Sequence, residues 1–74
     1  MANLTIGAPV HFVSDEVGIV NGTYRGFWFA DLHKFDDLTG KACAGALALA
    51  GRVDGIHAGH HPRGKRKWSA NRYA

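Results

Sequence analysis

Apolar residues fall at every second position in several short stretches of this chain, and turn-forming residues separate those stretches. A period of two belongs to β-strands with one buried face. Val10-His11-Phe12-Val13, behind Pro9 and ended by Ser14-Asp15-Glu16, reads as one strand, and Leu4-Thr5-Ile6 as a shorter one. Val17-Gly18-Ile19-Val20, Asn21-Gly22 and Thr23 to Phe29 read as strand, two-residue turn, strand. Asn-Gly suits a type I′ turn, because both central residues need positive φ. In that hairpin Val20 opposes Thr23. Val17, Ile19, Tyr24 and Trp28 then share one face, with Phe27 and Phe29 on the other.

A second hairpin is predicted around Asp54-Gly55, between Val53 and Ile56. Before it, Leu47, Leu49, Gly51 and Val53 alternate with Ala48, Ala50 and Arg52, which predicts a strand. The competing reading of residues 41–50 is an alanine-rich helix. Gly45 and Gly51 weaken that helix, and Leu47 and Leu49 do not share a helical face. Between the hairpins, Leu32, Phe35 and Leu38 recur every third residue, with Asp31 as a candidate N-cap and Gly40 as a candidate stop. One short helix near 31–38 is expected there. The fold class expected is mainly β: a small single-domain β-barrel or sandwich-like module on two hairpins, with turns at 21–22 and 54–55. An extended basic C-terminal arm completes it.

Composition limits what such a module can hold together alone. Of 74 residues, eleven are alanine and ten glycine, while Leu, Ile, Val and Phe total seventeen. A chain of this size buries only about 60% of the surface it exposes when unfolded. Cys43 is alone, so no intrachain disulfide supports the core. Docking or self-association is the expected support. No basic-then-apolar leader is visible at Met1-Ala2-Asn3-Leu4, and the uncharged alanine-rich stretch 42–51 is about half a membrane span. The expectation is a chain made in the cytoplasm, not secreted and not membrane-bound.

Charge then divides the chain into a compact body, 1–57, and an arm, 58–74. Residues 56–74 hold five cations and no carboxylate, whereas residues 1–55 hold four cations and six acids. The net +3 describes neither half. A near-neutral body with a cationic arm fits a protein that docks on something acidic. Arg63, Lys65, Arg66, Lys67 and Arg72, interleaved with Trp68 and Tyr73, are the candidate partner-binding residues. Phosphates pair with such cations and bases stack on such aromatics; an acidic protein groove suits them equally. Gly59, Pro62 and Gly64 predict an extended arm.

Other chemistry finds less support. His57, His60 and His61 are candidate metal ligands, but zinc needs three or four converging donors and no cysteine is near in sequence. The alternative is a set of polar turn residues that add charge to the arm as pH falls towards 6. Cys43 lies among Ala42, Ala44 and Gly45, a setting for packing more than for nucleophilic attack. Asp36 and Asp37 are adjacent, so their side chains diverge and a solvated turn is expected. No phosphate loop is present. No cofactor, small-molecule substrate or enzymatic activity is expected. Tyr24, Phe27, Trp28 and Phe29 form the densest apolar segment, read either as a core strand covered on both faces or as an interface strand.

Three functions fit these residues. One is a structural protein that docks on a larger assembly, or on copies of itself, and fixes itself with its arm. Another is a nucleic-acid-binding barrel of the SH3-like or OB-like sort. The third is an inhibitor or adaptor of one protein partner. The run Gly45-Ala-Leu-Ala-Leu-Ala-Gly-Arg-Val-Asp-Gly-Ile56, with a short mostly-β body and a terminal arm, resembles small decoration or cement proteins of tailed-phage capsids. That resemblance implies a non-enzymatic, capsid-stabilising role, a location in the virion, and contacts that bridge capsid subunits.

Overall fold

The computed structural model describes residues 5–15, 17–29, 32–46 and 55–69. Five strands follow in order: β1 (Pro9–Ser14), β2 (Gly18–Phe29), β3 (Leu32–Asp37), β4 (Ala42–Ala46) and β5 (Gly55–Ala58). They form one antiparallel sheet in the order β4-β3-β2-β1-β5. The first four are a meander, and β5 returns to the free edge of β1. The sheet curls until β4 and β5 touch. No ladder joins them among the described residues, so the barrel stays open.

The expected small β domain is present, with different turns. Asn21-Gly22 is not a turn: both residues lie within β2, opposite His11 and Val10 of β1. The reversal occurs earlier, where Ser14 pairs with Gly18. There the Ser14 hydroxyl accepts from the Val17 amide. Leu4-Thr5-Ile6 is likewise not a strand as far as it is described, since Thr5 to Ala8 closes a turn at Ile6-Gly7. Val10 to Val13 does form a strand, inside β1.

The helix expected near 31–38 is replaced by β3. Its inward positions are His33, Phe35 and Asp37, all buried. Two of those three are polar, so the alternation was hidden while Leu32, Phe35 and Leu38 imitated a helical period. Gly40 does not stop a helix. It takes φ +91° in the four-residue loop joining β3 to β4, a left-handed value that glycine adopts without strain. Residues 42–46 are strand, as favoured over the alanine helix. The remainder of that stretch, the ridge at Leu47, Leu49, Gly51 and Val53, and the turn residue Asp54 lie outside the described residues. Gly55 and Ile56 open β5, which pairs with β1.

The core follows from cross-strand rows. Val20, Phe12 and Ile56 face each other across β2, β1 and β5, and Tyr24, Phe35 and Cys43 do so across β2, β3 and β4. All six are buried. Between the rows lies Gly22, and the Phe35 ring covers its backbone. A Cβ at this position would collide with the Asp36 carbonyl and that ring. Val20 and Tyr24, not Ile19 and Tyr24, are therefore the inward residues of β2. Phe27, expected to carry much of the burial, is 70% exposed, and Trp68 from the arm completes the core instead.

Candidate docking surface

Residues 59–69 are irregular, as their glycines and proline predict, but they lie on the sheet. Among the attachments of this strap to the body, four span its length. At its start the Gly59 amide donates to the Pro9 carbonyl and His11 Nδ1–H donates to the Gly59 carbonyl, at 2.8 and 2.9 Å. Next, the Asn21 side chain acts as a surrogate peptide. Its Nδ2 donates to the His61 carbonyl at 3.0 Å, and its Oδ1 accepts from the His61 amide at 2.8 Å. Asn21 is 8% exposed, so each of these bonds replaces water that cannot reach it. A parallel bridge follows, with the Lys65 amide on the Ile19 carbonyl and the Asn21 amide on the Lys65 carbonyl.

The fourth attachment is Trp68. Its indole packs against Phe12 and Phe35 with ring centroids 5.5 and 5.8 Å apart, and Phe12 and Phe35 stack at 5.7 Å. Its backbone amide donates to Asp37 Oδ2 at 2.8 Å. Asp37 Oδ1 accepts from the Thr39 hydroxyl and from the amides of Thr39 and Lys41. Burial opposes ionisation of Asp37, but the bonds from the Thr39 side chain and the Trp68, Lys41 and Thr39 amides outweigh it. The carboxyl is held below its ordinary value. Asp37, expected in a solvated turn, thus ties the β3–β4 loop to the end of the strap. Its neighbour Asp36 faces outward and pairs with Arg25 at 2.8 Å.

With its attachments directed inward, the strap turns its cations outward. Arg63, Lys65, Arg66 and Lys67 are all exposed. Lys65 Nζ reaches back to the Val17 carbonyl at 3.1 Å, so this ammonium is partly committed to the body. The Arg66 carbonyl accepts from the Leu38 amide while its side chain stays outside. Trp68, proposed from sequence as a partner anchor, has its indole in the core. Arg72 and Tyr73 lie outside the described residues. Comparison with protein-family models, with curated proteins and with solved structures returned no match. The functional reading therefore rests on this surface.

The remaining candidates are dispersed. Tyr24 is buried, burial raises its phenol, and its hydroxyl shares a 2.6 Å hydrogen bond with His33 Nδ1. Phe27 lies over the His33 ring at 4.3 Å with its other face open. The side chains of Trp28 and Phe29 lie outside the described residues. His60 Nε2–H donates to the Gly22 carbonyl, and the Arg63 amide donates to His61 Nδ1, each at 3.0 Å. His57 is exposed and stacks on His11 at 5.2 Å. No group of three or more His, Cys, Asp or Glu side chains among the described residues is arranged to hold a metal ion. The Cys43 thiol is pushed up to about 11, mainly by burial and then by the Asp37 charge. Among the described residues no helix is long and apolar enough to cross a membrane.

Sequence reasoning missed Asn21, Asp37 and His11. For Asn21 the turn signature concealed a side chain used for peptide pairing. Asp37 carried one available signal: Asp-x-Thr before Gly40 is a local carboxylate–amide turn pattern.

Proposed function

We propose that this protein is a non-enzymatic docking module of a larger protein assembly, with the strap as its attachment face. One observation carries the reading: the strap fixes itself by its backbone, by Asn21 and by Trp68, and leaves Arg63, Arg66 and Lys67 outward at set positions. Cations on an ordered segment lose less side-chain and chain freedom on binding than cations on a loose tail. An acidic protein surface is the complementary partner. The high thiol value of Cys43 and the burial of the Tyr24–His33 pair behind Phe27 support a non-catalytic reading. Phe27 offers a second, apolar contact, for a neighbouring copy or for the same assembly. Carried to the resemblance drawn from the sequence, the assembly is a phage capsid and the location a virion.

A second reading, phosphate binding on nucleic acid, draws on the same exposed cations. Its stacking component is weakened, because the Trp68 ring is enclosed. Three phosphate contacts would give a log–log salt slope of about −3 on duplex DNA. Sedimentation of a native extract separates the readings. The docking reading expects the chain to travel with a large particle, nuclease to leave it there, and the triple variant Arg63→Glu/Arg66→Glu/Lys67→Glu to release it. Release by nuclease establishes the nucleic-acid reading. Co-sedimentation that survives charge reversal overturns the docking face, and a single small partner in fixed ratio indicates an adaptor.

A further inference from the structure

The start of the strap gathers three imidazoles, of which His11 spends only one ring nitrogen on holding the strap. His11 from β1 stacks on His57 from β5 with centroids 5.2 Å apart and interplanar angle 27°. His61 of the strap meets His11 edge-on at 5.5 Å. The roles of the ring nitrogens differ. His11 spends Nδ1–H on the Gly59 carbonyl, which leaves Nε2 to take a proton without loss of that bond. His61 Nδ1 accepts from the Arg63 amide, so a proton on Nδ1 would cost the turn. His57 is exposed at the rim. The ring nitrogens left open are therefore His11 Nε2 and those of His57, while His61 Nδ1 is committed to the Arg63 amide.

Each element packed here contributes no negative charge. β1 gives His11, and β5 gives His57. The strap gives His60, His61 and the Arg63 cation, while β2 gives the neutral Asn21 amide and Gly22 carbonyl. Among the described residues the only ion pair is Arg25–Asp36, so no described carboxylate lies within 4.0 Å of these imidazoles. Two imidazolium charges at 5.2 Å repel. None of the described residues supplies a counter-charge here, and a partner's carboxylates would provide one.

We propose that docking of this basic face is proton-coupled: seating on an acidic protein surface draws about one proton onto the His11–His57 pair. The inference rests on the docking reading above and adds its regulation. The sign follows from linkage. The bound state holds more protons than the free state, so affinity rises as pH falls. Imidazole is the side chain whose charge changes in the range where this matters. One coupled proton corresponds to about tenfold in affinity per pH unit across that window.

Poly-L-aspartate serves as the acidic probe, since its carboxylates stay ionised through the window. Binding to the full chain is measured at low salt at about pH 8 and about pH 6, with calorimetry in two buffers of different ionisation heat to count protons. The expected result is about tenfold or more tighter binding at the lower pH, uptake of about one proton, and a ratio that collapses in His57→Gln. His61→Asn, whose side-chain oxygen accepts from the amide two residues on without titrating, is expected to keep the ratio. Binding with a flat pH profile, or a full ratio retained in His57→Gln, overturns the proton coupling and leaves the docking face standing. Absence of binding at both pH values overturns the docking face and the coupling together.

Discussion

Trp68→Ala is the perturbation that separates a structural strap from a loose arm. The indole is 9% exposed and closes a three-ring cluster with Phe12 and Phe35. Truncating a buried aromatic costs about 3–5 kcal/mol. The strap is a surface segment that can settle into part of the cavity, which favours the lower end, about 3 kcal/mol. Stability for 74 residues is roughly 4–11 kcal/mol, so this one side chain is a large share of it. The bond to Asp37 comes from the Trp68 backbone and survives in alanine, so the loss measures the ring alone. Urea unfolding followed by far-ultraviolet circular dichroism is the assay. With a slope near 1 kcal/mol per molar, the midpoint falls by about 3 M. Phe27→Ala is the comparison: at 70% exposure its loss stays within about 1 kcal/mol. A Trp68→Ala loss below about 0.5 kcal/mol, or a larger loss for Phe27→Ala, refutes the placement of the core.

Three further outcomes follow from the same contacts. Asp37→Asn presents amide donors where four donors converge, at a cost on the order of 3 kcal/mol in urea unfolding. Because the folded Asp37 is depressed, its contribution is present above the ordinary carboxylate value and is lost as pH falls through the folded one. An acid titration of stability is therefore steeper in the native chain than in Asp37→Asn, and equal slopes would contradict the assignment. Gly22→Ala forces a Cβ into the Asp36 carbonyl and the Phe35 ring, and costs about 1–3 kcal/mol or prevents folding; an unchanged thermal midpoint counts against this packing. With its thiol at about 11, Cys43 is thiolate in roughly one molecule in a thousand at pH 8. Iodoacetamide labelling is expected to be far slower in the native chain than in urea, and equal rates would contradict its burial.

The strands were legible in the sequence wherever inward positions were apolar. Val10 and Phe12 of β1 announced themselves by alternation, and the small β domain follows from such rows. β3 was illegible because its inward residues include His33 and Asp37, whose burial depends on partners elsewhere: Tyr24, Thr39 and the Trp68 amide. Asn21-Gly22 misled for a related reason. Asn was used for its amide and Gly for its missing side chain, under a ring from β3, while left-handed φ was not needed. The arm's cations were visible as charge, but the inward turn of Trp68 was not. Nothing local distinguishes an aromatic that plugs its own core from one that waits for a partner.

Amide hydrogen exchange resolved by residue tests the central claim most directly, that residues 59–69 belong to the folded body and hold its cations in place. The account predicts that the amides of Gly59, His61, Lys65 and Trp68, each bonded to the sheet or to a side chain it anchors, are protected to a degree comparable with the β1–β2 ladder. Exchange of those four amides at unstructured-peptide rates, beside a protected β1–β2 ladder, would contradict it.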